Sequence, residues 1–384
     1  MAKTLYFPVT EVAGDIQIDW GDGVIETFTK ADIEALTGNY TTPSHEYEDG
    51  EATYTVRVHG PIVAFDSWLD APVSIPGPEG EFELDIFEPT YSQCPITEVV
   101  SFGDSETLER VSFNCAGEWL QTVPSTLPPY VINLSHLFDG CSGVNQAALS
   151  TWDVSNVKSM RATFNNVDIL SNNINNWDTS SVEDMSLMFS GVAVFQADLG
   201  NWDVSSVRLM TSMFESVGRD DPGNAFQLSS GTLNWDTSNV LSMEYMFAQS
   251  MLSQATLPFD VSNVRLFSRM FAYAPLFNAD ITGWNTQSAI DMSEMFMYYE
   301  AYYVSPWGPE EFIEAPFNQD LSNWNVSSVE NMHAMFAYQL NFESDLSGWC
   351  VTNIPTRPAV FSGPGIESVV EPEWGTCPDP LPPA

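Results

Sequence analysis

One motif recurs along this chain at a nearly fixed interval, and that recurrence restricts the fold more than any other feature of its 384 residues. Aligned on tryptophan, the segments are STWDVSNVKSMRATF at Trp152, NNWDTSSVEDMSLMF at Trp177, GNWDVSSVRLMTSMF at Trp202 and LNWDTSNVLSMEYMF at Trp235. LPFDVSNVRLFSRMF at Phe259, TGWNTQSAIDMSEMF at Trp284, SNWNVSSVENMHAMF at Trp324 and a divergent SGWCVTNIPTRPAVF at Trp349 complete the series. The intervals are 25, 25, 33, 24, 25, 40 and 25 residues, so two units are lengthened by insertions. A unit this short cannot bury an apolar face alone and must stack on its neighbours, which predicts a solenoid.

Inside one unit, Leu199, Trp202, Val204 and Val207 follow the L-x-x-L-x-L frame of leucine-rich repeats with Trp in a leucine slot, predicting a short strand through W-x-V. Val182, Met185, Met188 and Phe189 then fall at the spacing of one buried helical face, with Ser180/Glu183 and Ser327/Glu330 as capping boxes. The expected fold class is a mixed α/β repeat: a leucine-rich-repeat-like, right-handed solenoid of about eight 25-residue coils behind a small N-terminal β-sandwich. Methionine at this spacing is core filler rather than a metal or peptide groove.

Composition narrows the function. The chain carries 52 Asp and Glu against 11 Lys and Arg, a formal net charge of −41, which argues against nucleic acid and anionic membranes as partners. Only 16% of residues are charged, against roughly 25% in ordinary domains, so bases are missing rather than acids added. With 44% hydrophobic residues, 12 Trp and 24 Phe, the chain has the material for a core. Its five cysteines show no C-x-x-C spacing. No run of about 18 apolar residues and no Sec leader is visible. The four histidines accompany no nucleophile or metal motif, and 52 acids supply chance carboxylate pairs, so no enzyme and no catalytic residue is expected.

The repeat WDVSSVxxMxxMF, joined to FNQDLSNW at 317–324, closely resembles the BspA-like leucine-rich-repeat surface proteins, a family of bacterial surface and lipoprotein adhesins also found in phage genomes. The resemblance covers about residues 130–377. The block IDWGDG at 18–23, with HEY at 45–47 and TYTVRVHG at 53–60, is similar to the PKD-like β-sandwich that precedes such repeats. The implied organisation is a PKD-like sandwich over 1–65, a capping and connecting region over 66–130, the repeat solenoid over 131–348, and a terminal capping unit with a Pro-rich tail over 349–384. The terminal unit resembles the family's, with Cys350 and Cys377 as its candidate disulfide, which would add roughly 3 kcal/mol by loop closure.

The resemblance implies a non-enzymatic, surface-exposed binding or structural protein. With no leader visible, the expectation is a phage virion component (fibre, decoration or capsid-associated protein) serving assembly or host attachment on the virion surface. The alternative is a bacterial cell-surface adhesin, extracellular, that binds host protein or glycan. Expected partners are other virion or surface proteins and a host receptor protein or glycan, without nucleic acid or membrane insertion.

Two features are candidates for binding. The residue between Trp and Val in each unit points outward, which aligns Asp153, Asp178, Asp203, Asp236 and Asp260, followed by Asn285 and Asn325, over about 20 Å. Two readings stand: a solvated, hydrogen-bonded ladder, or a strip that binds Ca²⁺, the one cofactor considered. The larger insertion, 297–316, holds Tyr298, Tyr299, Tyr302, Tyr303, Trp307 and Phe312, which either grip a sugar or protein ligand or lie back on the flank. The smaller, 215–227, is polar and reads as an exposed loop. Asp19 and Asp22 lack calcium-loop spacing and read as a hairpin turn, with His45 as a packed turn histidine. A surface this acidic is screened only at high ionic strength, which points to a saline setting. Thermal unfolding is expected to be easier at low ionic strength than at seawater-level salt; equal melting temperatures in the two would contradict this.

Overall fold

A computed structural model describes residues 3–6, 9–20, 22–37, 43–47, 56–59, 62–65, 98–102, 106–114, 120–142, 144, 146–171, 174–219, 222–229, 233–298, 317–362 and 369–378. The N-terminal part contains β1 (Lys3–Tyr6), β2 (Val9–Val12), β3 (Ile16–Asp19), β4 (Ile25–Phe28), α1 (Lys30–Thr37), β5 (Ser44–Tyr47), β6 (Arg57–His59) and β7 (Ile62–Phe65). β4, β3 and β6 form one antiparallel sheet, β1 pairs with β5, and β2 pairs with β7. Val9 and Val12 from one sheet share a core with Ile16, Ile18 and Trp20 from another, and Ile33 of α1 joins them. Helix α1, not anticipated from the sequence, starts on a reciprocal cap: Thr29 Oγ1 accepts from Asp32 N–H at 3.2 Å while Asp32 Oδ2 accepts from Thr29 N–H at 2.8 Å.

The sheet does not end at the N-terminal part. β8 (Arg110–Val111) pairs in parallel with β7, and Arg110 is bridged in turn to Asn133. From Asn133 the bridges step through Ser159, Asp184, Leu209, Ser242, Leu266, Asp291 and Asn331, each residue opposite the same position of the next repeat. The ladder therefore reaches N-terminally of residue 131, and Ile62 packs against both cores. Two short strands, β9 (Ile169–Leu170) and β10 (Val194–Phe195), form a second parallel pairing between repeats.

Both secondary-structure expectations for the unit need correction. No strand runs through W-x-V; the bridged residue lies seven positions after the tryptophan, as Leu209 does after Trp202. No helix follows. Met210, Ser212, Phe214 and Ser216 donate their N–H groups to Ser242, Glu244, Met246 and Ala248 of the next repeat at 2.8 to 3.1 Å. Between them, Met213, Glu215 and Val217 donate three residues back to Met210, Ser212 and Phe214 at 3.1 to 3.3 Å. Ser212 and Ser216 carry this alternation with φ near 56° and 59°, and Ala162 and Asn166, Tyr245 and Gln249, and Arg269 and Tyr273 repeat it. A left-handed residue every fourth position breaks the i to i−4 bonding that a helix requires. The capping boxes dissolve with it: Ser180 gives its N–H and hydroxyl to Asp178 Oδ1 at 3.1 and 2.6 Å.

The apolar spacing still does its work. Val207, Met210, Met213, Phe214 and Val217 are all fully buried, and the phenylalanines stack through the column. Phe138, Phe164, Phe189, Phe214, Phe247, Phe271, Phe296 and Phe336 follow one another with ring centroids 5.3 to 6.0 Å apart. Tryptophan fills the leucine slot for a reason that leucine could not supply. Its indole N–H crosses to the preceding repeat: Trp177 to Leu149 O, Trp202 to Ile174 O, Trp235 to Leu199 O, Trp284 to Leu257 O and Trp349 to Leu321 O, at 2.9 to 3.1 Å. Where threonine replaces valine two residues on, Thr179, Thr237 and Thr286 donate to a carbonyl of the following repeat, at Asp203, Asp260 and Asn325, at 2.8 to 2.9 Å.

The insertions leave this register intact. Leu209 bridges Ser242 and Asp291 bridges Asn331 across the longer intervals. The smaller insertion is not simply an exposed loop, because Phe226 within it is 3% exposed and packs on Phe195 and Phe214 at 5.4 and 5.9 Å. Replacing Trp202 with Phe keeps the ring stack but removes the indole donor from the buried Ile174 carbonyl, which retains the backbone N–H of Trp177 at 3.1 Å. The expected cost is about 0.5–1.5 kcal/mol of unfolding free energy in chemical denaturation for the lost bond, with the fold retained by circular dichroism.

Candidate functional site

The aspartate column is built by the turn that follows each tryptophan. Asp153, Asp178, Asp203, Asp236 and Asp260 are exposed, and the Oδ1 of each accepts the N–H of the serine two residues on, at 2.9 to 3.1 Å. Ser155 and Ser180 add their hydroxyls at 2.6 Å. Asn285 and Asn325 make the same closure with Gln287 and Ser327. These are Asx turns, in which a carboxylate or amide oxygen stands in for a backbone acceptor. The bonds favour the ionised form, so the hydroxyl of Ser155 and that of Ser238, each with its N–H, hold the carboxyls of Asp153 and Asp236 below the usual aspartate range. Each column aspartate is therefore tied to its own turn through Oδ1. Among the described residues, no three His, Cys, Asp or Glu side chains stand close enough to hold a metal ion.

A second acidic column escaped the sequence reading. Asp280, Asp320 and Asp345, four residues before their tryptophans, accept N–H groups from Thr282, Ser322 and Ser347 at 2.9 to 3.0 Å; the hydroxyls of Thr282 and Ser347 with their N–H groups lower the carboxyls of Asp280 and Asp345, and the N–H of Ser322 with its hydroxyl lowers that of Asp320. Its signal in the residues is D-[LI]-[ST]-x-W, on the N-terminal side of each tryptophan. Beside it runs a groove of about 580 Å³ whose walls include Asn318, Asp320, Glu343, Ser344 and Asp345. Asn278 and Asn318 tie its floor together: Asn278 Oδ1 accepts from Asn318 N–H at 3.2 Å, and Asn318 Oδ1 from Glu343 N–H at 3.1 Å.

Of the six aromatics assigned to partner binding, Tyr299, Tyr302, Tyr303, Trp307 and Phe312 lie outside the described residues. Tyr298 does not belong with a ligand-facing set. It is 2% exposed, and its N–H donates to Ala337 O at 2.9 Å, so it continues the inter-repeat ladder. Phe317, where description resumes, is 1% exposed and stacks on Phe296 at 4.3 Å. The aromatic insertion thus springs from two buried anchors.

At the C-terminal end Cys350 and Cys377 are joined in a disulfide. Arg357 pairs with both oxygens of Glu371, which also accepts from Ser362 Oγ at 2.7 Å and Trp374 Nε1 at 3.2 Å. In the N-terminal part Asp22 closes its hairpin by accepting Val24 N–H at 3.0 Å. His45 Nε2 lies 2.8 Å from Asp22 Oδ2, and its ring stacks on Trp20 at 5.1 Å. His45 stands on β5 rather than in a turn.

Half-buried charge gathers on the face carrying the left-handed residues. Arg269 forms a two-pronged pair with Glu294 at 2.8 and 2.9 Å and donates to Tyr245 Oη at 3.0 Å. Burial pushes the carboxyls of Glu215 and Glu244 above the usual range, against hydrogen bonds from Ser212 and Ser242 that lower them.

The sequence model of the family described as "Mycoplasma protein of unknown function, DUF285" matches residues 132–229, 222–307 and 310–365. No curated protein matches the chain, and no solved structure does. Among the described residues no helix is long and apolar enough to cross a membrane.

The two sets of carboxylates pull stability in opposite directions with pH. The lowered aspartates contribute stability above the ordinary aspartate range that is lost as pH falls through their depressed values. Glu215 and Glu244 contribute below the ordinary glutamate range, and that contribution is lost as pH rises through their raised values. Glu244→Gln is therefore expected to raise the melting temperature at pH 7 and to lose that advantage at acid pH. A melting temperature lowered at pH 7 would show that the carboxylate is stabilising there.

Proposed function

This chain belongs to the DUF285 repeat family, and from that premise we propose a non-enzymatic, BspA-like surface protein: a right-handed, leucine-rich-repeat-like solenoid behind a PKD-like sandwich, serving as a virion component of a phage in assembly or host attachment. The observation that carries this reading is how the repeat spends its polar groups. The column aspartates close their own turns, and the indoles and buried threonines bond to adjoining repeats. Such groups hold a scaffold in shape, so recognition of a host ligand falls to residues that break the period.

The largest such break lies between Tyr298 and Phe317, both buried, while the ladder on either side keeps its register. A dense set of aromatics added to an undisturbed support favours a second reading, an adhesin on a bacterial cell surface that grips host protein or glycan there.

Two measurements separate the readings. Mass spectrometry of purified particles is expected to find the chain at fixed stoichiometry, and its absence from particles would exclude the virion role. Binding to host cells or a glycan array that disappears in a Tyr302/Tyr303/Trp307 to alanine variant, at unchanged melting temperature, is the adhesin's outcome. No binding by the intact isolated chain favours the structural role.

A further inference from the structure

Three of the chain's eleven bases share one row of the repeats. At the position just before each bridged ladder residue stand Lys158, Glu183, Arg208, Leu241 and Arg265 in consecutive repeats. Their backbones are locked rung to rung: Arg208 N–H donates to Glu183 O, Leu241 N–H to Arg208 O and Arg265 N–H to Leu241 O, at 2.8 to 2.9 Å. Lys158 and Glu183 pair with each other at 3.6 Å. Arg208 and Arg265 are exposed and, among the described residues, make no side-chain hydrogen bond or ion pair. Two exposed guanidiniums with no bonded acid among the described residues are unexpected where 52 acids surround 11 bases. Arg208 borders a groove of about 290 Å³ completed by Ser206, Asn239, Leu241 and Asn263. Asn239 and Asn263 donate to Ser205 O and Ser238 O at 2.7 Å, which makes the groove wall rigid.

Five residues before each of these arginines is an exposed column aspartate, Asp203 before Arg208 and Asp260 before Arg265. The two do not pair within the chain, because a tight turn separates them: Val207 N–H donates to Val204 O at 2.9 Å, and Val264 N–H to Val261 O at 3.0 Å. Asp203 and Asp260 each use Oδ1 on that turn, leaving Oδ2 without a partner among the described residues.

We propose that this strip is a self-association surface whose occupant is a second copy of the chain, lying parallel and side by side about a two-fold axis along the column. In that arrangement Arg208 meets Asp203 of the partner subunit and Arg265 meets Asp260 of the partner subunit, and the same contacts recur in reverse. The argument is charge complementarity in matched register. Both columns are built by the same repeats, so their rung spacing is identical and the two contacts form in one register; that register also sets Asp178 opposite Glu183 of the partner subunit, a repulsion that Lys158 beside Glu183 offsets. Arginine suits the role because its planar fork accepts a carboxylate at the surface with little reorganisation. The −41 charge of each copy opposes association over a Debye length of about 8 Å at 0.15 M salt and much further in dilute buffer, so pairing is weak at low salt and appears as screening removes the long-range repulsion. The proposal goes beyond the function above and holds for either surface.

Sedimentation velocity on the full chain, over a concentration series at 0.15 M salt and above, tests it. A reversible monomer–dimer equilibrium is expected, with the dimer weakened roughly tenfold or more in Arg208→Asp/Arg265→Asp at an unchanged melting temperature. Both guanidiniums are exposed and free of described bonds, so this variant decides the matter even if the aspartate variant fails to fold. Where Asp203→Arg/Asp260→Arg folds, it is expected to be monomeric alone and to form a mixed dimer with the arginine variant. A wild-type chain that stays monomeric at every concentration, or a dimer untouched by the arginine variant, overturns the proposal. So does a folded pair of variants that fails to form the mixed dimer.

Discussion

Everything in the repeat part of this protein depends on where its backbone N–H groups go. At every second residue after the buried methionine the N–H points to the next repeat, and at the residues between it closes a turn three positions back. That alternation needs a left-handed residue every fourth position, which costs about 1–2 kcal/mol for a residue other than glycine. Each inter-repeat bond returns about 0.5–1.5 kcal/mol net, so the pattern is sustained only when repeats stack and the bonds come as a set. Isolated, one unit has no partner for half of its donors. Stacked, it presents Met, Met, Phe and Val to the interior and aligns the rings from Phe138 to Phe336.

The same logic explains much of the charge. Aspartate stands after tryptophan because a short carboxylate can accept the N–H two residues on and close the turn; a lysine or arginine there offers no acceptor. Repeating the turn repeats the charge. Neighbouring carboxylates in water repel by only about 1 kcal/mol per pair, which the structure tolerates. Part of the acidity is thus a by-product of how each turn is closed, and the few bases matter by position rather than by number. Lys158 and Glu183 neutralise each other on the outer ladder, while Arg208 and Arg265 are left available.

Parts of this were legible in the residues. The period, the inward positions and the outward aspartates follow from spacing alone, since burial depends on which residues recur together. The path of the chain between those positions was not legible. Val182, Met185, Met188 and Phe189 suit a helical face, yet Leu187 between them adopts φ near 59° and the segment forms turns. Apolar spacing near three and four residues is shared by a helix and by successive tight turns, and only the destination of the N–H groups separates them. Tyr298 was grouped with the insertion by composition, whereas its backbone bond to Ala337 places it in the column.

Sequence alone established that the chain is a series of like units, which residues recur at its inward positions and where its acids recur, because a period is a property of the chain itself. Tertiary structure decided the rest. The tryptophan slot takes tryptophan because a carbonyl in the preceding repeat awaits its N–H, and the ladder runs seven residues beyond it because that is where two repeats come within hydrogen-bonding reach. Both are facts about residues some 25 positions apart, and a partner at that separation exists only once the chain has folded back beside itself.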